Sequence, residues 1–121
     1  INLRRKTSGA SNTDLQNKRY IEFKNRIVTL SQENDKVILV AGHEHALQYI
    51  ETDQNQFIVS GAGSKKDAVK LGKGAQFTYG GYGFSKLEFY DDGSTWLEYW
   101  RTVEGDENGL LPCIFFPMLD R

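Results

Sequence analysis

The apolar run Val37-Ile38-Leu39-Val40-Ala41 leads directly into Gly42-His43-Glu44-His45. A short, β-branched run without polar interruption predicts a central strand that is buried on both faces of a parallel or mixed sheet. Both histidines of the chain therefore follow the carboxyl end of this predicted strand. The segments on either side of it complete the assignment of the fold.

An amphipathic helix is predicted before this strand, because apolar residues recur there at three- and four-residue intervals. They are Tyr20, Phe23, Ile27 and Leu30. Thr13-Asp14-Leu15-Gln16 has the form of a capping box, so the helix is expected to begin there and to end near Asn34-Asp35.

Short strands and turns are predicted after the histidines. Residues 46–51 and 56–60 flank one hairpin loop, and residues 82–90 and 95–101 flank a second, in which Gly93 can adopt a positive φ. Trp96 and Trp100 share one face of the last strand and are interpreted as covering the core. The predicted fold class is α+β, with one main helix followed by a mostly antiparallel sheet. Residues 1–103 form the domain and residues 104–121 a tail or linker.

Composition argues against several functional classes. With 15 basic and 16 acidic residues among 121, the net charge of −1 gives no field that would attract nucleic acid. No apolar stretch approaches the ~20 residues that are needed to span a bilayer. Cys113 is the only cysteine, so neither an internal disulfide nor a cysteine-based zinc site is expected.

His43 and His45 are the candidate metal ligands. Side chains at i and i+2 of an extended segment project to the same side, and the end of a central strand is a common ligand-binding edge. Paired imidazoles suit borderline metals such as Zn, Fe, Mn or Ni. Glu44, Gln48 or a backbone carbonyl could orient the second ring nitrogen. Two histidines of a surface turn explain the pair equally well, as a solvated turn carboxylate explains Glu44.

Two imidazoles cannot hold a catalytic metal alone. Catalytic sites commonly use three or more protein ligands, and two-metal sites also need carboxylates. The acidic residues of this chain lie in the predicted helix, the turns and the tail, and Asp91-Asp92 is interpreted as turn chemistry. The missing ligands are therefore expected upstream of Ile1. We interpret the amino end as a cut within a larger protein.

Three segments in order resemble the carboxyl-terminal portion of a calcineurin-like metallophosphoesterase. They are Gly42-His43-Glu44-His45-Ala46-Leu47-Gln48-Tyr49, Val59-Ser60-Gly61-Ala62-Gly63 and Gly80-Gly81-Tyr82-Gly83-Phe84. The resemblance runs from about Asp14 to Arg101. It is nearest to the branch of purple, tartrate-resistant acid phosphatases and their bacterial relatives, in which a Gly-His-Asp/Glu-His-x-Leu-Gln segment closes a dinuclear site.

This resemblance implies a four-layer α/β/β/α sandwich, of which residues 1–103 would be the carboxyl-terminal part. It implies two divalent or trivalent metal ions, Fe, Mn, Zn or Ni, which bind a phosphate-ester substrate and activate a hydroxide. His43 would bind the second, divalent metal and His45 the first. A periplasmic or extracellular location is compatible with the family. The family's earlier motifs, which supply the bridging carboxylate and the other ligands, are not in this sequence.

The expected function is that of a fragment of a dinuclear-metal phosphoesterase that is inactive alone. The fragment would be empty of metal or bind one ion weakly. Loss of half a sandwich would expose strand edges, so self-association, or association with the missing amino-terminal part, is expected. The alternative is a noncatalytic β-rich binding or interaction module.

Overall fold

The computed structural model describes residues 17–34, 37–103, 105 and 109–118. The chain divides into two units, Ile1–Asp35 and Lys36–Arg121. In the described residues the first unit contains one helix and the second contains seven strands. The predicted fold class is confirmed at this level, since the fold is α+β with one helix and mostly antiparallel sheets.

Helix α1 comprises Lys18–Gln32. The side-chain oxygen of Asn17 caps it by accepting hydrogen bonds from the backbone N–H groups of Arg19, at 3.0 Å, and Tyr20, at 3.4 Å. The helix thus begins later than predicted, and the predicted capping box, residues 13–16, lies outside the described residues. No helix in the described part of the chain is long and apolar enough to cross a bilayer.

The first sheet has the strand order β1-β3-β2-β4. Its strands are β1 (Ile38–Ala41), β2 (Leu47–Glu51), β3 (Gln56–Ser60) and β4 (Ala75–Tyr79). β1 pairs with β3 in parallel, whereas β2 pairs antiparallel with both β3 and β4. The carboxyl ends of β1, β3 and β4 therefore lie at one edge of the sheet, together with the amino end of β2. We call this end of the strands the site edge, which is distinct from the outermost strands β1 and β4.

The prediction that β1 is a central strand buried on both faces is wrong for the described sheet. β1 is its outermost strand, and the side chain of Val40 is 59% exposed. The apolar, β-branched run correctly indicated an extended segment in a parallel pair. It carried no information on how many neighbours the strand has.

The second sheet is an antiparallel meander of three strands, β5 (Gly83–Phe89), β6 (Thr95–Thr102) and β7 (Leu110–Met118). Gly93, with φ of 87°, forms the β5–β6 turn as predicted. In that turn, hydrogen bonds from the side chain and backbone of Ser94 hold the pKa of Asp92 below its ordinary value. β7 lies within residues 104–121, so this segment contributes a strand to the sheet.

The core lies between the two sheets. It is formed by buried side chains of both: Leu47, Tyr49, Ile58, Ala62, Leu97, Tyr99 and Met118. Aromatic rings from the two sheets meet there, with centroids 4.8 Å apart for Tyr49 and Phe116 and 4.7 Å apart for Phe77 and Tyr99. The Tyr99 hydroxyl also donates a hydrogen bond to the backbone carbonyl of Gln48, and burial raises the pKa of Tyr99.

Trp96 and Trp100 do not cover this core, contrary to the sequence-based interpretation. Leu97 and Tyr99 alternate with them along β6 and are fully buried against the other sheet. Because successive side chains of a strand point to opposite faces, the two tryptophans lie on the outer face of the second sheet. The alternation was correctly recognised, but the wrong face was assigned to the core.

Candidate metal centre

The loop that carries both histidines crosses the end of a neighbouring strand. β1 and β2 lie on opposite sides of β3, so residues 42–46, which connect them, pass over the carboxyl end of β3. Ala46 and Leu47 bury the far end of this loop in the protein interior. His43 and His45 are thus brought to the site edge, where the sequence placed them.

Gly61 makes this crossing possible. It follows β3 directly, and a Cβ atom at this position would overlap the backbone carbonyl oxygens of Glu44 and Gly42. The backbone N–H of Gly61 also donates a hydrogen bond to the carbonyl of Ala46, at 3.2 Å. Only a residue without a side chain allows the histidine loop to lie this close to β3.

Asp67 fixes the position of His45 through two contacts. Its carboxylate oxygen Oδ2 lies 2.9 Å from His45 Nδ1, and its backbone N–H donates a hydrogen bond to the His45 carbonyl, also at 2.9 Å. The side chain of His45 is 36% exposed and that of Asp67 is 70% exposed. The imidazole is therefore held at one nitrogen in a site that solvent and solutes reach.

Glu44 and Gln48, the residues proposed from the sequence to orient a histidine, have backbone contacts that fix their places in the fold. Glu44 is exposed, and its backbone carbonyl accepts a hydrogen bond from Ala46 N–H at 2.8 Å. Gln48 lies within β2, and its backbone carbonyl accepts the Tyr99 hydroxyl. Sequence reasoning missed Asp67, although it is the only acidic residue in the lysine-rich segment between β3 and β4.

The lysine-rich segment is itself fastened to the site edge. Lys66 Nζ lies 4.9 Å from the centroid of the Tyr82 ring, a cation–π distance. At Gly80, a Cβ atom would come within 2.8 Å of the Asp67 carbonyl oxygen, so the two backbones approach closely. These contacts hold Asp67 beside the histidine loop although 22 residues separate it from His45.

In the described residues, no three His, Cys, Asp or Glu side chains are grouped closely enough to hold a metal ion. The contact between His45 and Asp67 joins two candidate groups, and His43 lies two residues before His45 on the same loop. Comparisons of the chain with protein-family models, with curated proteins and with solved structures find no match.

Proposed function

We propose that this chain supplies two imidazole ligands, His43 and His45, to the dinuclear metal centre of a calcineurin-like phosphoesterase. One observation carries the proposal. The loop of the two histidines lies at the edge where the parallel strands β1 and β3 end, which is where α/β sheets bind their ligands. In this proposal the two stacked sheets are the inner layers of a four-layer sandwich.

The residues fit part of such a centre. Neutral imidazoles bind Zn, Fe, Mn and Ni, and a carboxylate at the distal ring nitrogen is a common arrangement for a metal-binding histidine. The carboxylates that complete the centre come, in this proposal, from polypeptide other than the described residues. When bound, the two metals would polarise a phosphate ester and supply a nucleophilic hydroxide at neutral pH.

The chain's own contribution is to position ligands and attract substrate. Gly61 lets the histidine loop lie against β3, and Asp67 restrains one imidazole. Four lysines follow in the adjacent segment and favour an anionic substrate such as a phosphate ester. They are Lys65, Lys66, Lys70 and Lys73.

Strand β1 supports the proposal that the chain associates with further polypeptide. It is an edge strand of four apolar residues without the charged side chain, proline or bulge that commonly protects sheet edges. A second copy of the chain, or the polypeptide that carries the missing ligands, would pair with it.

A second candidate function, a noncatalytic β-rich binding module, is favoured by the outer face of the second sheet. Phe84 and Trp96 are 43% and 39% exposed there. Between the aromatic side chains, Glu98 accepts a hydrogen bond from Trp100 Nε1 at 2.9 Å and lies 3.7 Å from Lys86 Nζ. Exposed aromatic side chains favour a binding surface, because aromatic residues are enriched in protein interfaces relative to the rest of the surface.

Calorimetric titration of the 121-residue chain with Zn²⁺ and Ni²⁺ separates the two candidates. Because the chain has only two histidines, the double substitution His43→Ala, His45→Ala removes every imidazole. We expect one weak binding event in the wild type, a reduced one in each single variant and none in the double variant. Binding that survives the double substitution would contradict the assignment.

Hydrolysis of an aryl phosphate tests the need for additional ligands. We expect no metal-dependent hydrolysis by the purified chain, because two imidazoles cannot hold two metals about 3.5–4 Å apart without a bridging carboxylate. Measurable turnover that disappears in the double histidine variant would show instead that the chain carries a complete centre.

A further inference from the structure

His45 and Asp67 are joined twice, once through the backbone and once through the side chains. The backbone hydrogen bond from Asp67 N–H to the His45 carbonyl already ties the two segments together. The contact of Asp67 Oδ2 with His45 Nδ1, at 2.9 Å, adds a restraint on the ring itself. The side-chain contact is therefore separable from the anchoring of the loop.

The chemistry of this contact determines which ring nitrogen carries a proton. An ionised carboxylate accepts hydrogen bonds and cannot donate one, so a 2.9 Å contact with Nδ1 requires a proton on Nδ1. In a neutral imidazole the lone pair then resides on Nε2. The lone pair is thus placed on the side of the ring that faces away from Asp67.

We propose that Asp67 is the positioning residue of His45, and that His45 binds its metal ion through Nε2. This rests on the proposed function and deepens it by naming the ligand atom and the residue that selects it. The close approach at Gly80 and the Lys66–Tyr82 contact hold Asp67 in place, so the protein itself keeps the carboxylate in contact with the ring. A preset tautomer and ring orientation is what such an outer carboxylate supplies to a metal-binding histidine.

Stability alone does not explain the contact. Asp67 is 70% exposed, and polar contacts this open to solvent contribute little to folding even when both partners are charged. Removal of the carboxylate should therefore leave the fold and the backbone hydrogen bond intact while it frees the imidazole to rotate and to change tautomer. The effect of Asp67 on the His45 ring can therefore be measured separately from its effect on stability.

The direct test is the tautomer of His45 in the metal-free chain, read from the ¹⁵N chemical shifts of the imidazole at about pH 8, where an unperturbed imidazole is neutral. We expect the Nδ1–H tautomer in the wild type and a mixture dominated by Nε2–H in Asp67→Ala.

The control is Asp91→Ala, which removes an equal charge from the β5–β6 turn, at the far end of β5 from the site edge. It should leave the His45 shifts unchanged. A wild-type ring that is in the Nε2–H form, or doubly protonated, would overturn the proposal, as would a tautomer unaffected by Asp67→Ala.

Titration with Zn²⁺ supplies the second readout. We expect Asp67→Ala to weaken binding by about 10- to 100-fold, the range seen when an outer carboxylate is removed from a metal-binding histidine. Asp91→Ala should bind as the wild type does. Equal affinity of wild type and Asp67→Ala would overturn the proposal. If the wild type binds no Zn²⁺, the proposed function fails, whereas the tautomer still decides whether Asp67 positions the ring.

Discussion

At the scale of single residues, the histidine site depends on a position that has no side chain. The loop of residues 42–46 crosses the end of β3 because β1 and β2 lie on either side of it, and Gly61 is where the two backbones meet. Imidazole placement therefore relies on close backbone packing as much as on the histidines. A substitution at Gly61 is therefore expected to displace the loop.

Gly61→Ala should destabilise the protein and displace the histidine loop, whereas Gly63→Ala should not. The new Cβ at Gly61 would overlap two carbonyl oxygens, while nothing lies within 4 Å of a Cβ at Gly63. Both substitutions lower the conformational entropy of the unfolded chain equally, so the difference between their free energies of unfolding reports strain in the folded state. We expect the free energy of unfolding of Gly61→Ala to be lower by about 1–3 kcal/mol in urea denaturation. Equal stability of the two variants, with unchanged His43 and His45 ring resonances, would show that the loop does not rest on Gly61.

The sequence pointed to the two histidines of this candidate site but not to Asp67, and the reason is physical. His43 and His45 were recognised because their spacing and the preceding apolar run are local features. Asp67 was missed because its contact with His45 spans 22 residues and depends on how the lysine-rich segment folds back over the site edge. A search for the single carboxylate in that basic segment could have suggested it.

At the scale of elements, the two sheets are joined by a hydrogen bond as well as by apolar packing. The hydroxyl of Tyr99, on β6, donates to the backbone of Gln48, on β2, although its ring is fully buried. Burial disfavours the phenolate, which is why the pKa of Tyr99 is raised above its usual 10.0. The interface between the sheets is therefore sensitive to alkaline pH.

Tyr99→Phe should lower stability at neutral pH and reduce its loss at alkaline pH. Removing one buried hydrogen bond costs about 1 kcal/mol. A pKa that is higher in the folded state than in the unfolded state stabilises the fold fully below about pH 10, and this contribution is lost as the pH rises further. Above pH 10 the stability of the wild type should thus fall more steeply than that of Tyr99→Phe, by up to about 1.4 kcal/mol per pH unit.

Urea denaturation at a series of pH values measures both effects. The control is Tyr90→Phe, because Tyr90 is 51% exposed and its hydroxyl donates a hydrogen bond to the half-buried carboxylate of Glu88, at 3.4 Å. This variant should match the wild type at neutral pH and retain its alkaline loss. Parallel pH profiles for the wild type and Tyr99→Phe would mean that Tyr99 ionises equally in the folded and unfolded states.

The two hairpins were predicted more reliably than β4 and β7, which were not predicted as strands. Alternation and turn residues located both hairpins, because these signals act over a few residues. The helix start was misplaced, since Asn17 is an equally good cap and lies next to the helix that forms. β1 and the two tryptophans were assigned the wrong environment because strand neighbours and the choice of core face are set by the packing of both sheets.

At the scale of the whole molecule, β1 is where the chain is expected to meet other polypeptide. A parallel strand at the edge of a sheet commonly has its faces covered and its edge protected, yet β1 leaves Val40 59% exposed. Two copies related by a twofold axis would pair their β1 strands antiparallel, and each would satisfy backbone groups of the other that have no partner among the described strands. Such pairing predicts self-association that depends on this strand.

Val40→Lys should weaken that association. β1 has only four residues, so antiparallel pairing would bring the lysines introduced into two copies close together, where like charges repel. We expect sedimentation equilibrium to show the wild type as a dimer at high concentration. The dissociation constant of the variant should be at least roughly tenfold higher, which corresponds to about 1.4 kcal/mol of association free energy.

The control is Leu71→Lys, which introduces the same charge at an apolar side chain that is 68% exposed and lies outside the strands. This variant should associate as the wild type does. A wild type that stays monomeric at high concentration would exclude self-pairing, and equal weakening by both variants would trace association to general surface hydrophobicity. Neither Val40 nor Leu71 takes part in the contact between His45 and Asp67. Both variants should therefore retain the Zn²⁺ affinity of the wild type, unless the second copy completes the metal centre.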